Sequence, residues 1–101
     1  MTKRLVVTAQ CHQAGEVRTF ETRGQTAKAL LALVTAGDKG VTASEVATWA
    51  YRLAAYRHDL KRIHGLDIIT RHEEHPGGWH GRYILLTPVQ IVSIDNAQVP
   101  A

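Results

Sequence analysis

A chain of 101 residues, 45% apolar and 21% charged, has the makeup of one folded unit, which excludes wholesale disorder and leaves little room for a second domain. Twelve Lys and Arg against nine Asp and Glu give a net charge of +3, a mild bias towards polyanions. The lone Cys11 excludes an intrachain disulfide, the apolar run after Arg4 is too short for a signal peptide, and no stretch approaches the roughly 18 apolar residues of a membrane span. A reducing cytoplasm is the expected compartment.

Residues 4–10 (Arg-Leu-Val-Val-Thr-Ala-Gln) are short and β-branched and read as a strand. Residues 16–23 alternate charged and less polar side chains, as a half-exposed strand does. The five residues between them, ending in Gly15, close a hairpin that must lean on other elements, giving an N-terminal hairpin unit over 1–24. Thr26 to Ala36 carries Ala27, Leu30, Leu31, Leu33 and Val34 near helical spacing, with Gly37 as its stop and Asp38-Lys39-Gly40 as a turn. Thr42-Ala43-Ser44-Glu45 is a capping-box pattern that opens a second helix.

No Gly or Pro separates that helix from the next. Two arrangements fit: a turn near Trp49-Ala50-Tyr51, or one long helix from Ala43 to His64. In the first, residues 25–65 form a three-helix unit whose third helix buries Leu53, Tyr56, Leu60 and Ile63. Its opposite face then holds Tyr51, Ala54, Ala55, His58, Lys61 and Arg62, and Gly65 ends it. A hairpin over 66–86 follows, from Leu66–Arg71 to Arg82–Leu86, with Pro76-Gly77-Gly78 at the tip. Pro88 breaks its second strand. In the tail, 87–101, Gln90 to Ile94 can add an edge strand or cross to a partner, and residues from Asp95 on read as frayed. Charge is uneven along the chain: residues 51–62 hold four Lys and Arg against Asp59 alone, whereas residues 83–101 hold none.

On these residues the chain resembles the winged-helix superfamily, particularly the DNA-binding domain of bacterial response regulators and small phage or prophage regulators. The likeness spans roughly residues 16–86. It rests on the apolar-Trp element Ala47-Thr48-Trp49, the arginines between Arg52 and Leu60, Ile68-Ile69-Thr70, and Gly81-Arg82-Tyr83-Ile84-Leu85. Arg57 departs from the pattern, standing where that family often has an aliphatic residue. The resemblance implies an α+β fold: a single winged-helix domain with an N-terminal β-hairpin, three helices and a two-stranded wing. It implies sequence-specific binding of double-stranded DNA, the third helix in the major groove and the wing on an adjacent groove.

Within that layout Tyr51, Arg52, Ala55 and His58 are placed for base edges, small Ala54 and Ala55 allow close approach, and Lys61 and Arg62 suit phosphates. Arg71 and Arg82 face each other across the wing and reach backbone or minor groove. A chain this small covers few base pairs, so a homodimer is expected, with the strand edges of the N-terminal hairpin and of the tail as its surfaces. Cys11-His12, His72, His75 and His80 match no closed zinc spacing, no glycine-rich phosphate loop or carboxylate pair is present, and no cofactor or small-molecule ligand is evident. The chain does not read as an enzyme. The rival reading is a winged helix that binds another protein and not DNA, favoured by Glu73 and Glu74 in the wing and opposed by the basic helix.

Overall fold

The structure, a computed structural model, describes the backbone of residues 2–46 and 52–99 and the side chains of residues 5–46 and 52–95. Strand β1 (Thr2–Gln13) pairs antiparallel with β2 (Glu16–Arg23) in a register that sets Gln13 opposite Glu16. The turn is therefore only Ala14-Gly15, and both residues have positive φ, 51° and 78°, the twist that two-residue hairpins favour. The expected five-residue connection is corrected accordingly. Cys11 lies inside β1 with its side chain buried, because the inward-facing series Val7, Ala9, Cys11 continues to the turn.

The tail also differs from expectation. Far from fraying at Asp95, it forms β6 (Val89–Val99), which pairs antiparallel with β1 along almost its whole length, giving the order β2-β1-β6. Partly buried Val89 and Ile91 pack on the core, which draws the strand in. Helix α1 (Gly24–Ala36) covers the inner face of this sheet, burying Ala27, Ala29, Leu30 and Leu33. Gly37 ends it, its amide donating to the Leu33 carbonyl.

Gly40 follows at φ +68°, where an added Cβ would lie 2.6 Å from the Tyr83 carbonyl oxygen and 2.7 Å from Ile84 Cγ1. Only glycine lets this turn lie against the neighbouring strand. There, β3 (Val41–Thr42) pairs with β5 (Gly78–Leu85), which pairs with β4 (Ile68–His75) in the order β3-β5-β4. The wing is thus three-stranded at its base, and its hairpin turns on Pro76-Gly77, one residue tighter than expected.

The capping box forms as its residues dictate. The Thr42 amide donates to Glu45 Oε1 at 2.8 Å, and the Glu45 amide donates to Thr42 Oγ1 at 3.3 Å. The described backbone after it is one 3-10 turn, Ser44–Val46, and the remainder of the expected second helix, with the turn expected near Trp49-Ala50-Tyr51, lies outside the described residues. Among the described residues the chain therefore has two α-helices and six strands, where three helices, an N-terminal hairpin and a two-stranded wing were expected.

Helix α2 (Leu53–His64) ends at Gly65, whose left-handed φ of 68° lets its amide reach the Lys61 carbonyl at 3.0 Å. Leu53 and Leu60 are buried and Tyr56 is partly buried, but Ile63 is 67% exposed, which corrects the expected stripe. Leu53, Tyr56 and Leu60 of the predicted stripe therefore face the core, and half-buried Arg57 and His64 flank them in place of Ile63. Arg57 is held by a hydrogen bond from Nη2 to the Ile68 carbonyl at 3.2 Å, and His64 by ring contact, its centroid 4.7 Å from that of Phe20. Val7, Phe20, Leu30, Leu33, Leu53, Leu60 and Ile68 join both helices and both sheets in one buried cluster.

Candidate nucleic-acid interface

Because Leu53 and Leu60 fix the inward side of α2, its outward side follows from a rotation of about 100° per residue. Ala54, His58, Lys61 and Arg62 are all exposed along it, and Arg52, at the helix start, is exposed as well. Ala55 is half-buried at the margin of this face, and Asp59, the one acid of the helix, is also half-buried. Tyr51 lies outside the described residues. Lys61, Arg62 and His64 occupy the last turn, where positive charge is favoured by the helix dipole.

The carboxyl end of α2 is held from the N-terminal hairpin. Arg18 donates to the His64 carbonyl, its guanidinium lying 6.0 Å over the Phe20 ring, and Gln13 Nε2 donates to the Gly65 carbonyl at 2.9 Å. Burial, and secondarily the nearby Arg18 charge, push the His64 imidazole below its ordinary pKa. Arg57 connects the helix to the wing, its guanidinium 6.0 Å over the Tyr83 ring while Nη2 bonds to β4. Its Nε is buried without a hydrogen-bond partner among the described residues.

In the wing, Arg71 and Arg82 stand directly opposite each other, as expected. Glu73 organises them. Its Oε1 accepts from Arg82 Nε and from His80 Nε2, both at 2.9 Å, and its Oε2 from Arg71 at 3.3 Å. Arg82 also reaches Glu45 Oε1 at 3.3 Å and the Lys39 carbonyl at 3.2 Å. Hydrogen bonds from Arg82 and then His80 hold the Glu73 carboxyl below the usual range, while the hydrogen bond from the Thr42 amide does most of the same for Glu45. Two guanidiniums therefore meet two carboxylates. Arg71 keeps half its side chain in solvent, whereas Arg82 is 20% exposed and committed to acids on both sides.

Strand alternation separates these charges from the rings. Thr70, His72, Trp79 and Tyr83 share the hairpin face that Arg57 of α2 covers, and Arg71, Glu73, His80 and Arg82 project from the other. Trp79 is 61% exposed and stacks on His72 across the strands, with ring centroids 4.6 Å apart and 20° between planes. It neither folds onto the core nor stands free of its neighbours.

Sequence reasoning missed the Glu73 hub, although counting outward from the Pro76-Gly77 turn pairs position 73 with 80 and 71 with 82. The linking role of Arg57 had a signal too, an arginine where an aliphatic residue was expected. Among the described residues no group of three or more His, Cys, Asp or Glu is close enough to hold a metal ion, and Cys11 and His12 point to opposite faces of β1.

This arrangement, a capped turn, an amphipathic basic helix and a β-hairpin on one α+β core, is that of a helix-and-wing protein. The sequence profile of the winged helix domain family matches residues 19–95, and the chain belongs to that family. No curated protein and no solved structure matches it.

Proposed function

We propose that this chain is a small sequence-specific DNA-binding protein, a regulator of transcription of the bacterial or phage kind, acting as one unit over residues 1–101 in the cytoplasm. The observation that carries the reading is the solvent face of α2. Arg52, His58, Lys61 and Arg62 are exposed there beside small Ala54, and no acid is exposed on the helix. Such a face approaches a major groove closely, with Arg52 and His58 offering donors to base edges and Lys61 and Arg62 meeting phosphates. Tyr51 and Ala55 complete the base-reading set, Arg71 is the wing cation freest to meet backbone, and Arg82 reaches DNA only by leaving Glu73 or Glu45. The resemblance to the DNA-binding domains of response regulators supports the same docking. Two copies on related half-sites supply the affinity that one small domain lacks.

A selection from a random duplex pool with the purified protein tests this reading. Arg52→Ala should cost about 1–3 kcal/mol at one position of the selected site, and Arg62→Ala should weaken all sequences alike and reduce the salt slope by about 1. Equal enrichment of every sequence, with affinities unmoved by either variant, would sink it.

The charge balance of the wing supports a second reading, a winged helix that binds a protein partner. Arg71 and Arg82 are matched by Glu73 and Glu45, so the hairpin attracts phosphate weakly. A partner retained by wild type and lost in Trp79→Ala, with no duplex selected, would favour it.

A further inference from the structure

We infer that the outer edge of β6 pairs antiparallel with the same edge of a second copy, joining two three-stranded sheets into one. This deepens the dimer included in the proposed function, and its test reads mass, not DNA. Among the described residues the sheet β2-β1-β6 has two open edges, and they are unlike. Along β2, Glu16, Arg18, Glu21 and Arg23 put four charges in eight residues. Such an edge resists pairing, since charged side chains along it must be desolvated or opposed. Along β6, eleven residues contain a single charge, Asp95, and no Lys, Arg or Pro. Val92 and Ile94 on it are 54% and 56% exposed.

One guarding device is present, a bulge where β1 passes from Thr8 to Ala9, which leaves Val92 without an opposite residue. Beyond it residues 93–99 run against β1 without interruption, from Thr8↔Ser93 to Thr2↔Val99. Seven residues at about 3.3 Å each give about 23 Å of continuous free edge, longer than a typical whole strand.

Charge selects the occupant. The chain carries +3 overall, yet residues 83–101 hold no Lys or Arg, so two copies meeting here join at their least positive part. An antiparallel strand paired with itself has a two-fold axis. With that axis at Asn96, each Asp95 falls opposite Ala97 of the other copy, and no like charges meet. A strongly acidic or basic partner strand would meet eleven residues with a single charged side chain.

Sedimentation of the full chain over about 1–200 μM should show the mass rising from 11.2 kDa towards twice that value. Ser93→Lys and Ile94→Lys should each raise the midpoint of that rise by about tenfold or more, whereas Thr19→Lys on β2 should leave it in place. Asn96→Cys should form an interchain disulfide on mild oxidation, the native Cys11 being buried, and this cross-link decides the matter if a lysine variant unfolds. A constant 11.2 kDa without cross-linking, or a dimer dissociated by Thr19→Lys and untouched by the β6 changes, would overturn the inference. A β6 dimer without duplex affinity keeps this inference and removes the DNA reading. A monomer that selects one duplex does the reverse.

Discussion

Leu60→Ala is the sharpest probe of how α2 is turned, and with it of which side chains face outward. The Leu60 side chain is fully buried at 0% exposure, among α1, Leu53, Leu66 and Ile68. The change removes three carbons. At about 0.8 kcal/mol per buried methylene this loses roughly 2.4 kcal/mol, and an imperfectly collapsed cavity brings the total to about 3–4 kcal/mol. That is a large share of the roughly 5–15 kcal/mol that holds a domain of this size. Ile63→Ala removes a comparable side chain one turn away, but at 67% exposure it should change stability by no more than about 0.5 kcal/mol. Urea denaturation followed by far-ultraviolet circular dichroism separates the two. With a slope of about 1.5 kcal/mol per molar, Leu60→Ala should lower the midpoint by about 2 M and Ile63→Ala should leave it nearly unchanged. Comparable losses from both would mean that α2 buries Ile63 as well as Tyr56. Ala54, His58, Lys61 and Arg62 stay outward under that turn too, so the assignment of base-reading and phosphate-binding residues falls only if His58→Ala costs more stability than Leu60→Ala.

Gly40→Ala should destabilise by more than about 2 kcal/mol, since it combines a positive φ with a Cβ 2.6 Å from the Tyr83 carbonyl oxygen; Gly77→Ala, at φ +94° with open space around it, should cost only about 1–2 kcal/mol. Similar denaturation midpoints for the two would refute the close packing of that turn on β5. The His64 imidazole titrates below its ordinary 6.5 in the folded chain, so the unfolded chain takes up the proton more readily. The stability it contributes is complete above about pH 6.5 and declines as pH falls towards its folded pKa, and His64→Gln should flatten that decline. Glu73 and Glu45, both lowered from 4.5, add a further loss only as pH falls below that value. Stability that rose on acidification from about pH 7 to 5 would contradict the placement of His64.

Local chemistry was readable wherever residues a few positions apart decide the outcome. Thr42 and Glu45 cap each other, Gly37 and Gly65 stop their helices, and Arg71 stands opposite Arg82, although the turn between their strands is one residue shorter than the expected Pro76-Gly77-Gly78 tip. The last turn of α2 was less readable, because an apolar count prefers Ile63 to His64, and it is Ile63 that lies exposed. What draws Arg57 and His64 inward is remote in sequence: the Ile68 carbonyl and Tyr83 ring that receive Arg57, and the Phe20 ring against His64. The tail escaped for a similar reason. Nothing within residues 95–99 marks them as a strand, and their order comes from β1 at the other end of the chain. For the outward face of α2, the open side of an amphipathic helix, periodicity sufficed. For Arg82 it did not, because the two carboxylates that occupy it lie 9 and 37 positions away.

The pairing of Thr2 with Val99 also sets an order of events in folding. The β1–β2 and β4–β5 hairpins close over two-residue turns and can form as soon as their residues leave the ribosome. The β1–β6 ladder must wait for residues 89–99, and it closes a loop of nearly the whole chain, whose entropy cost slows it further. Until then β1 presents an unpaired edge beside Val7 and Ala9, and the nascent chain is most prone to aggregate in that interval. Translation that pauses late, or loss of the last strand, should therefore reduce soluble yield more than it reduces the local structure of the wing.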